Sequence, residues 1–233
     1  RAPGAQPVII ENMDDWWNLS NRIKVGILIS GNGTNLQAII DASQKDSFPA
    51  EIAIVISNNP SAYGLKRAIS ADIPTKVIDH KLFDQREDFD TAVSVELRKA
   101  DCELICLAGF MRILSEQFVN NWPMRIINIH PSLLPSFKGR NVQKQAIDAE
   151  VRIAGCTVHF VISELDAGPI IAQAAVPVLK QDTPASLSAR ILQQENHIYP
   201  LALELIAKKI QGKPINAHKT NTSDTEEKLI SLY

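Results

Sequence analysis

Short apolar runs alternate along the chain with stretches whose apolar positions recur at helical spacing. KVGILIS (24–30), EIAIVIS (51–57), TKVID (75–79), ELICLAGF (103–110), RIINIH (125–130), GCTVHFVI (155–162) and PIIAQAAVPVL (169–179) read as strands. Between them LQAIIDAS, AYGLKRAISAD, REDFDTAVSVELRKAD (86–101), SEQFVNNW and VQKQAIDAE read as helices. Thr183 followed by Pro184 is an N-cap with proline at the first helical position. That last helix runs through SLSARILQQENHIY, bends at Pro200 and continues to about Lys209, before GKP stops it. Continuous apolar strands separated by helices predict an α/β fold, a mostly parallel sheet of about seven strands covered on both faces. The short SELDAG link between the last two strands suits a hairpin-like return, so the sheet ends mixed.

This periodicity bounds three segments: a head (1–21), a catalytic domain (22–211) and a polar tail (212–233) with the character of a linker. With 24 basic against 26 acidic residues and a net charge of −2, the chain has no basic excess for a nucleic-acid backbone. No apolar run is long enough to span a bilayer, so no membrane partner is expected. Cys102, Cys106 and Cys156 lack zinc spacing and read as buried free thiols of a reducing, cytoplasmic compartment.

In such sheets ligands bind outside the carboxyl ends of the strands. The first strand ends in SGNGTN (30–35), where Gly31 and Gly33 permit tight backbone and a helix start favours an anion. The same letters also suit a plain glycine turn with Thr34 or Asn35 capping the helix. Position 36 is leucine and the second strand ends in Ser57-Asn58-Asn59 rather than an acid, so the NAD fingerprint is absent. A single phosphate fits the loop best. After the fourth strand, Arg112 in GFMRI either pairs with a helix carboxylate or waits for an acidic ligand. Arg86, with three acids nearby, reads as a salt-bridge partner.

The fifth strand ends in NIHPSLLPSFKG (128–139). Strand alternation points Asn128 and His130 the same way, and Pro131 ends the ladder. The ends of the fifth and sixth strands are expected to meet at one edge of the sheet, which brings Asp166 in SELDAG to His130. A carboxylate there orients the imidazole and favours its charged form, while Asn128 offers a neutral donor to an oxyanion. Such a trio supports acyl transfer or hydrolysis without a protein nucleophile. One histidine, one aspartate and an asparagine make a poor metal set. His159 reads as structural.

ILISGNGTNLQAII, VISN, LAGFMRILS, NIHPSLLPSFKG, GCTVHFV, ELDAGPII and ENHIYP resemble the phosphoribosylglycinamide formyltransferases. NIHPSLLP is shared with the wider formyltransferase group, including methionyl-tRNA formyltransferase; SGNGTNLQ with SFKG is narrower. The resemblance implies a Rossmann-like doubly wound sheet. It also implies transfer of formyl from 10-formyltetrahydrofolate to the amine of glycinamide ribonucleotide in purine synthesis. Asn128, His130 and Asp166 become the catalytic trio. Gly33, Thr34, Asn35 and Glu195 become substrate-binding. The folate is expected on Arg86, on Met111, Arg112, Ile113 and Leu114, on Asn128, and on Ile162, Ser163, Glu164, Leu165 and Asp166. No metal is implied. Gln143 stands where many members carry histidine, Asn196 follows Glu195 where histidine is usual, and Leu192 replaces a polar residue. PVIIEN in the head resembles the end of the domain that precedes this enzyme in animal trifunctional proteins, so covalent linkage to other purine-pathway domains is expected. The rivals are a 10-formyltetrahydrofolate hydrolase, a methionyl-tRNA formyltransferase-like enzyme and a non-catalytic ligand-binding module.

Overall fold

The structure, a computed structural model, describes residues 22–213 and the backbone of 230–232. The head at 1–21 and most of the tail lie outside the described residues. The strands are β1 (Ile23–Ile29), β2 (Ala50–Ser57), β3 (Thr75–Val77), β4 (Leu104–Leu107), β5 (Ile126–His130), β6 (Ile153–Phe160), β7 (Ile170–Pro177) and β8 (Ile230–Leu232). The helices are α1 (Thr34–Ser43), α2 (Tyr63–Ser70), α3 (Arg86–Lys99), α4 (Glu116–Asn121), α5 (Val142–Asp148) and α6 (Pro184–Ile210). They build one sheet in the order β3-β2-β1-β4-β5-β6-β7-β8. β1 to β5 pair in parallel, and β6, β7 and β8 each pair antiparallel with the strand before. The sheet is therefore mostly parallel with a mixed edge. β8 is an addition to the expected count, a short strand beside β7 within the segment read as tail.

The pleat sorts the strand side chains into two cores. Val25, Ile27 and Ile29 of β1 face a cluster completed by Leu36 and Ile39 of α1, Leu65 of α2, Ala146 of α5 and Leu187, Ile191 and Ile198 of α6. Leu28, Ile54 and Ile56 face the opposite way, onto Phe89, Val93 and Leu97 of α3, Phe118 of α4 and Trp122 just beyond it. Both faces are covered, which explains why these strands read as unbroken apolar runs. Cys102, Cys106 and Cys156 are buried free thiols, and burial pushes Cys102 up to about 12.

The chain runs outward from β1 through β2 to β3, then returns to place β4 on the other side of β1. The loops after β1 and β4 therefore diverge and leave a crevice between them, where open α/β sheets take their ligands. β4 ends at Leu107, earlier than expected, because the chain turns at Gly109 with φ of 74°. α6 opens with a reciprocal capping box between Thr183 and Ser186, with Pro184 at its start. It runs as one helix through Pro200.

Candidate active site

A cleft of about 590 Å³ opens over the carboxyl ends of β4 and β5. One wall is the loop from Gly109 to Leu114, another is Ile162 to Asp166, and Asn128, His130 and His159 lie between them. Met111 and Ile113 of the first wall are 69% and 59% exposed, an unusual presentation of apolar surface that suits a flat apolar ligand.

His130 ends β5 and is 6% exposed. Its Nε2 lies 3.0 Å from the Phe137 carbonyl oxygen, which can only accept, so that nitrogen carries a proton. Nδ1 faces Asp166 Oδ2 at 3.7 Å, within ion-pair reach but too long for a hydrogen bond. Asp166 Oδ2 also accepts from Gly139 N at 2.9 Å, which ties the two loops of the site together. The expected meeting of His130 and Asp166 is thus present, by a different route. β6 runs antiparallel to β5, so its end at Phe160 stands opposite Ile127, not beside His130. The loop beyond Phe160 returns to the sheet at Pro169, whose carbonyl accepts from Phe160 N, and within it Asp166, with φ of 50°, comes to His130.

Asn128 pairs across the ladder with His159, and Asn128 Nδ2 lies 3.3 Å from His159 Nε2. His159 Nδ1 lies 2.9 Å from the Phe160 carbonyl and donates to it, so Nε2 must accept. Burial holds His159 below its ordinary value, which keeps the ring neutral and able to accept. His159 is therefore a partner of Asn128, a role the sequence reading missed; the antiparallel register that creates it is the missing signal. Thr157 and Gln173 were also missed. Leu134 N donates to Thr157 Oγ1, which donates to the Ser132 carbonyl, while Gln173 Nε2 donates to the Leu134 carbonyl. These bonds shape the loop that follows His130.

α1 begins at Thr34, two residues before its expected start, with Gly33 as N-cap at φ of 69° and no side-chain cap. The capping alternative for Thr34 and Asn35 is thereby excluded. The first N–H groups of the helix have no intrahelical acceptor, and the N-cap supplies no side-chain bond to them, an anion-binding arrangement. Asn35 instead donates Nδ2 to Glu195 Oε2 at 2.8 Å, leaving its own Oδ1 buried without a partner. Burial raises the Glu195 carboxyl, opposed by the Asn35 bond and by the charge of His130. Glu195 is thus bonded to the helix start and lies within electrostatic reach of the histidine. A separate groove of about 770 Å³ carries Thr34 and Asn196, whose Oδ1 is also buried without a partner.

Arg112 lines the cleft with its guanidinium 5.0 Å over the Phe89 ring; burial raises the Asp90 carboxyl, and the bonds from Ser115 and the nearby Arg112 charge oppose that rise. Asp90 accepts from Ser115 N at 2.6 Å and anchors the far end of the wall. Arg86 is exposed in the first turn of α3, makes no salt bridge among the described residues and is not among the cleft's lining residues. The salt-bridge reading of Arg86 is corrected, since the three nearby acids lie at spacings its side chain does not use. Gln143 lines the cleft, whereas Leu192 is half-buried on α6. Among the described residues no group of histidine, cysteine and acidic side chains could hold a metal, and no helix is long and apolar enough to cross a membrane.

Residues 23–203 match the formyl transferase family. The chain is 46% identical over 181 residues to the phosphoribosylglycinamide formyltransferase of Haemophilus influenzae, covering 78% of this chain and 85% of that protein. It is 54% identical over 188 residues to the trifunctional purine biosynthetic protein adenosine-3 of Gallus gallus, covering 81% of this chain but only 19% of that protein. It therefore spans about a fifth of the trifunctional relatives' length. Among solved structures, the phosphoribosylglycinamide formyltransferase of Anaplasma phagocytophilum superposes with a TM-score of 0.75 at 53% identity, covering 81% of this chain and 88% of that one. With its matched fold, crevice and histidine loop, the chain belongs to the formyl transferase family, in its phosphoribosylglycinamide formyltransferase branch.

Proposed function

We propose that this chain transfers the formyl group of 10-formyltetrahydrofolate to the amine of glycinamide ribonucleotide, a step of purine synthesis. The observation that carries this reading is the convergence of Asn128, His130 and Asp166 in one cleft, with Glu195, bonded to Asn35 at the uncapped start of α1, in electrostatic reach of His130. The helix start takes the ribose phosphate, with Gly33, Thr34 and Asn35 around it. Glu195 and the free Oδ1 of Asn35 are acceptors suited to the glycinamide group. The pterin lies between the loop at Met111–Leu114 and the loop at Ile162–Asp166, with Arg86 toward the folate tail.

The substrate amine attacks the formyl carbon. His159 takes one Asn128 N–H, leaving the other for the developing oxyanion. His130 Nε2 is committed to the Phe137 carbonyl, so Nδ1 is the atom that holds a proton toward the oxyanion and passes it to the departing folate nitrogen. Asp166 stabilises the charged ring and orders a water that relays the amine proton. No metal takes part. The chain acts in the cytoplasm as one domain of a longer purine-pathway protein.

The test is to incubate the protein with 10-formyltetrahydrofolate and with glycinamide ribonucleotide, methionyl-tRNA or buffer, following tetrahydrofolate release. Release only with glycinamide ribonucleotide is expected. Equal release in buffer would establish a hydrolase, and release only with tRNA would overturn the phosphate-site reading.

A further inference from the structure

One hydroxyl stands between the two substrate loops. Ser30 follows the last residue of β1 and immediately precedes the Gly31–Asn35 turn. Its Oγ donates to Asn58 Oδ1 at 2.6 Å and accepts from Met111 N at 2.8 Å. The first bond fixes the hydroxyl on the end of β2, where Asn58 is buried and 3.1 Å from His80 Nδ1. The second holds the backbone of the exposed apolar wall of the cleft. The backbone around Ser30 is itself tied down: Asn59 Nδ2 donates to the Ser30 carbonyl and Gly64 N to the Gly31 carbonyl. These contacts lie at the crevice between the loops that follow β1 and β4, so the Ser30 hydroxyl ties one loop directly to the other.

We propose that Ser30 is a positioning residue shared by both substrate sites, so that a ligand in one site tightens binding in the other. The inference rests on the functional reading above. A phosphate seated at the start of α1 fixes the Gly31–Asn35 turn and with it the Ser30 backbone. The hydroxyl then holds Met111 N in place before the folate arrives, and the folate meets a wall already ordered. The coupling is reciprocal, as linkage requires.

The experiment is calorimetric binding of glycinamide ribonucleotide with and without saturating tetrahydrofolate, the pair that cannot react. Tetrahydrofolate should tighten ribonucleotide binding by at least about 5-fold in the unmodified protein, the lower end of usual coupling. In Ser30→Ala that ratio should fall to about 1, while Ser30→Thr, which keeps the hydroxyl, restores it. Ser30→Ala should also raise KM for 10-formyltetrahydrofolate by roughly 2- to 12-fold, the worth of one net hydrogen bond, with kcat nearly unchanged. Should Ser30→Ala not fold, Ser30→Cys carries the same expectation at intermediate strength. A ratio of 1 in the unmodified protein, or an unaltered ratio in Ser30→Ala, overturns the inference alone. Failure of the unmodified protein to bind either ligand overturns the functional reading as well.

Discussion

Asn128 and His159 face one another across the antiparallel β5–β6 ladder, and the neutral imidazole accepts one of the two amide N–H groups. That bond decides which way the Asn128 amide points. A protonated His159 would present a donor to a donor, and the amide would lose its register.

His159→Phe should therefore cut kcat by up to roughly 10²–10³-fold, the cost of losing an oxyanion donor outright. His159→Gln, whose carbonyl can accept, should retain more turnover. Because burial places the folded His159 below its ordinary 6.5, the unfolded chain takes up the proton first as pH falls. The unmodified protein loses stability from about 6.5 downward, and both variants should lose less over that window. Thermal melts between about pH 5 and about pH 8, beside steady-state kinetics, check both halves.

Asp166→Asn is expected to lower kcat by roughly 10²–10⁴-fold, the usual span for a group supporting acid–base transfer. An asparagine carbonyl can still accept from Gly139 N, so the loop should stay in place and substrate Kd should change much less. Near-normal turnover in this variant would remove Asp166 from the mechanism.

How far these roles were legible depends on which residues the sheet brings together. Asn128 and His130 were readable because alternation along a single strand is local. The neighbourhood of His130 and Asp166 is also legible, but it does not arise from adjacent strand ends: β6 delivers its end to Ile127 and the loop must return. His159, Thr157 and Gln173 were not legible as site residues, because their partners are set by register between β5, β6 and β7. No single strand carries that information. The seven main strands follow from the apolar runs, but the early end of β4 reflects the positive φ of Gly109, which glycine permits without announcing.

Glu195→Gln separates stability from function. Burial raises the folded carboxyl above its ordinary 4.5, so the unfolded state releases its proton first as pH rises. Stability associated with Glu195 is then present below about 4.5 and lost as pH rises through the folded value. The uncharged glutamine escapes that loss and can still accept from Asn35, so the variant should melt higher than the unmodified protein at neutral pH. Its KM for glycinamide ribonucleotide should rise, because the acceptor charge facing the substrate is gone. A lower melting temperature would mean that the carboxylate contributes net stability where it sits.

Two glycines of one turn should answer differently to the same methyl group. Gly33 has φ of 69°, and a Cβ built there would lie 2.7 Å from the Gly64 Cα, a backbone atom that cannot step aside. At Gly31 an added Cβ meets nothing within 4 Å. Gly33→Ala should cost roughly 1–3 kcal/mol of stability from the left-handed backbone, and the contact with Gly64 adds to it. Any relief must come from the turn moving off α2, which displaces the first N–H groups of α1 and raises KM for the ribonucleotide. Gly33→Val should do both more strongly, since a β-branched residue tolerates positive φ least. Gly31→Ala should keep the melting temperature of the unmodified protein. Chemical denaturation and ribonucleotide KM, measured on the three variants together, test whether the phosphate site depends on the backbone of Gly33 or merely on glycine anywhere in the turn.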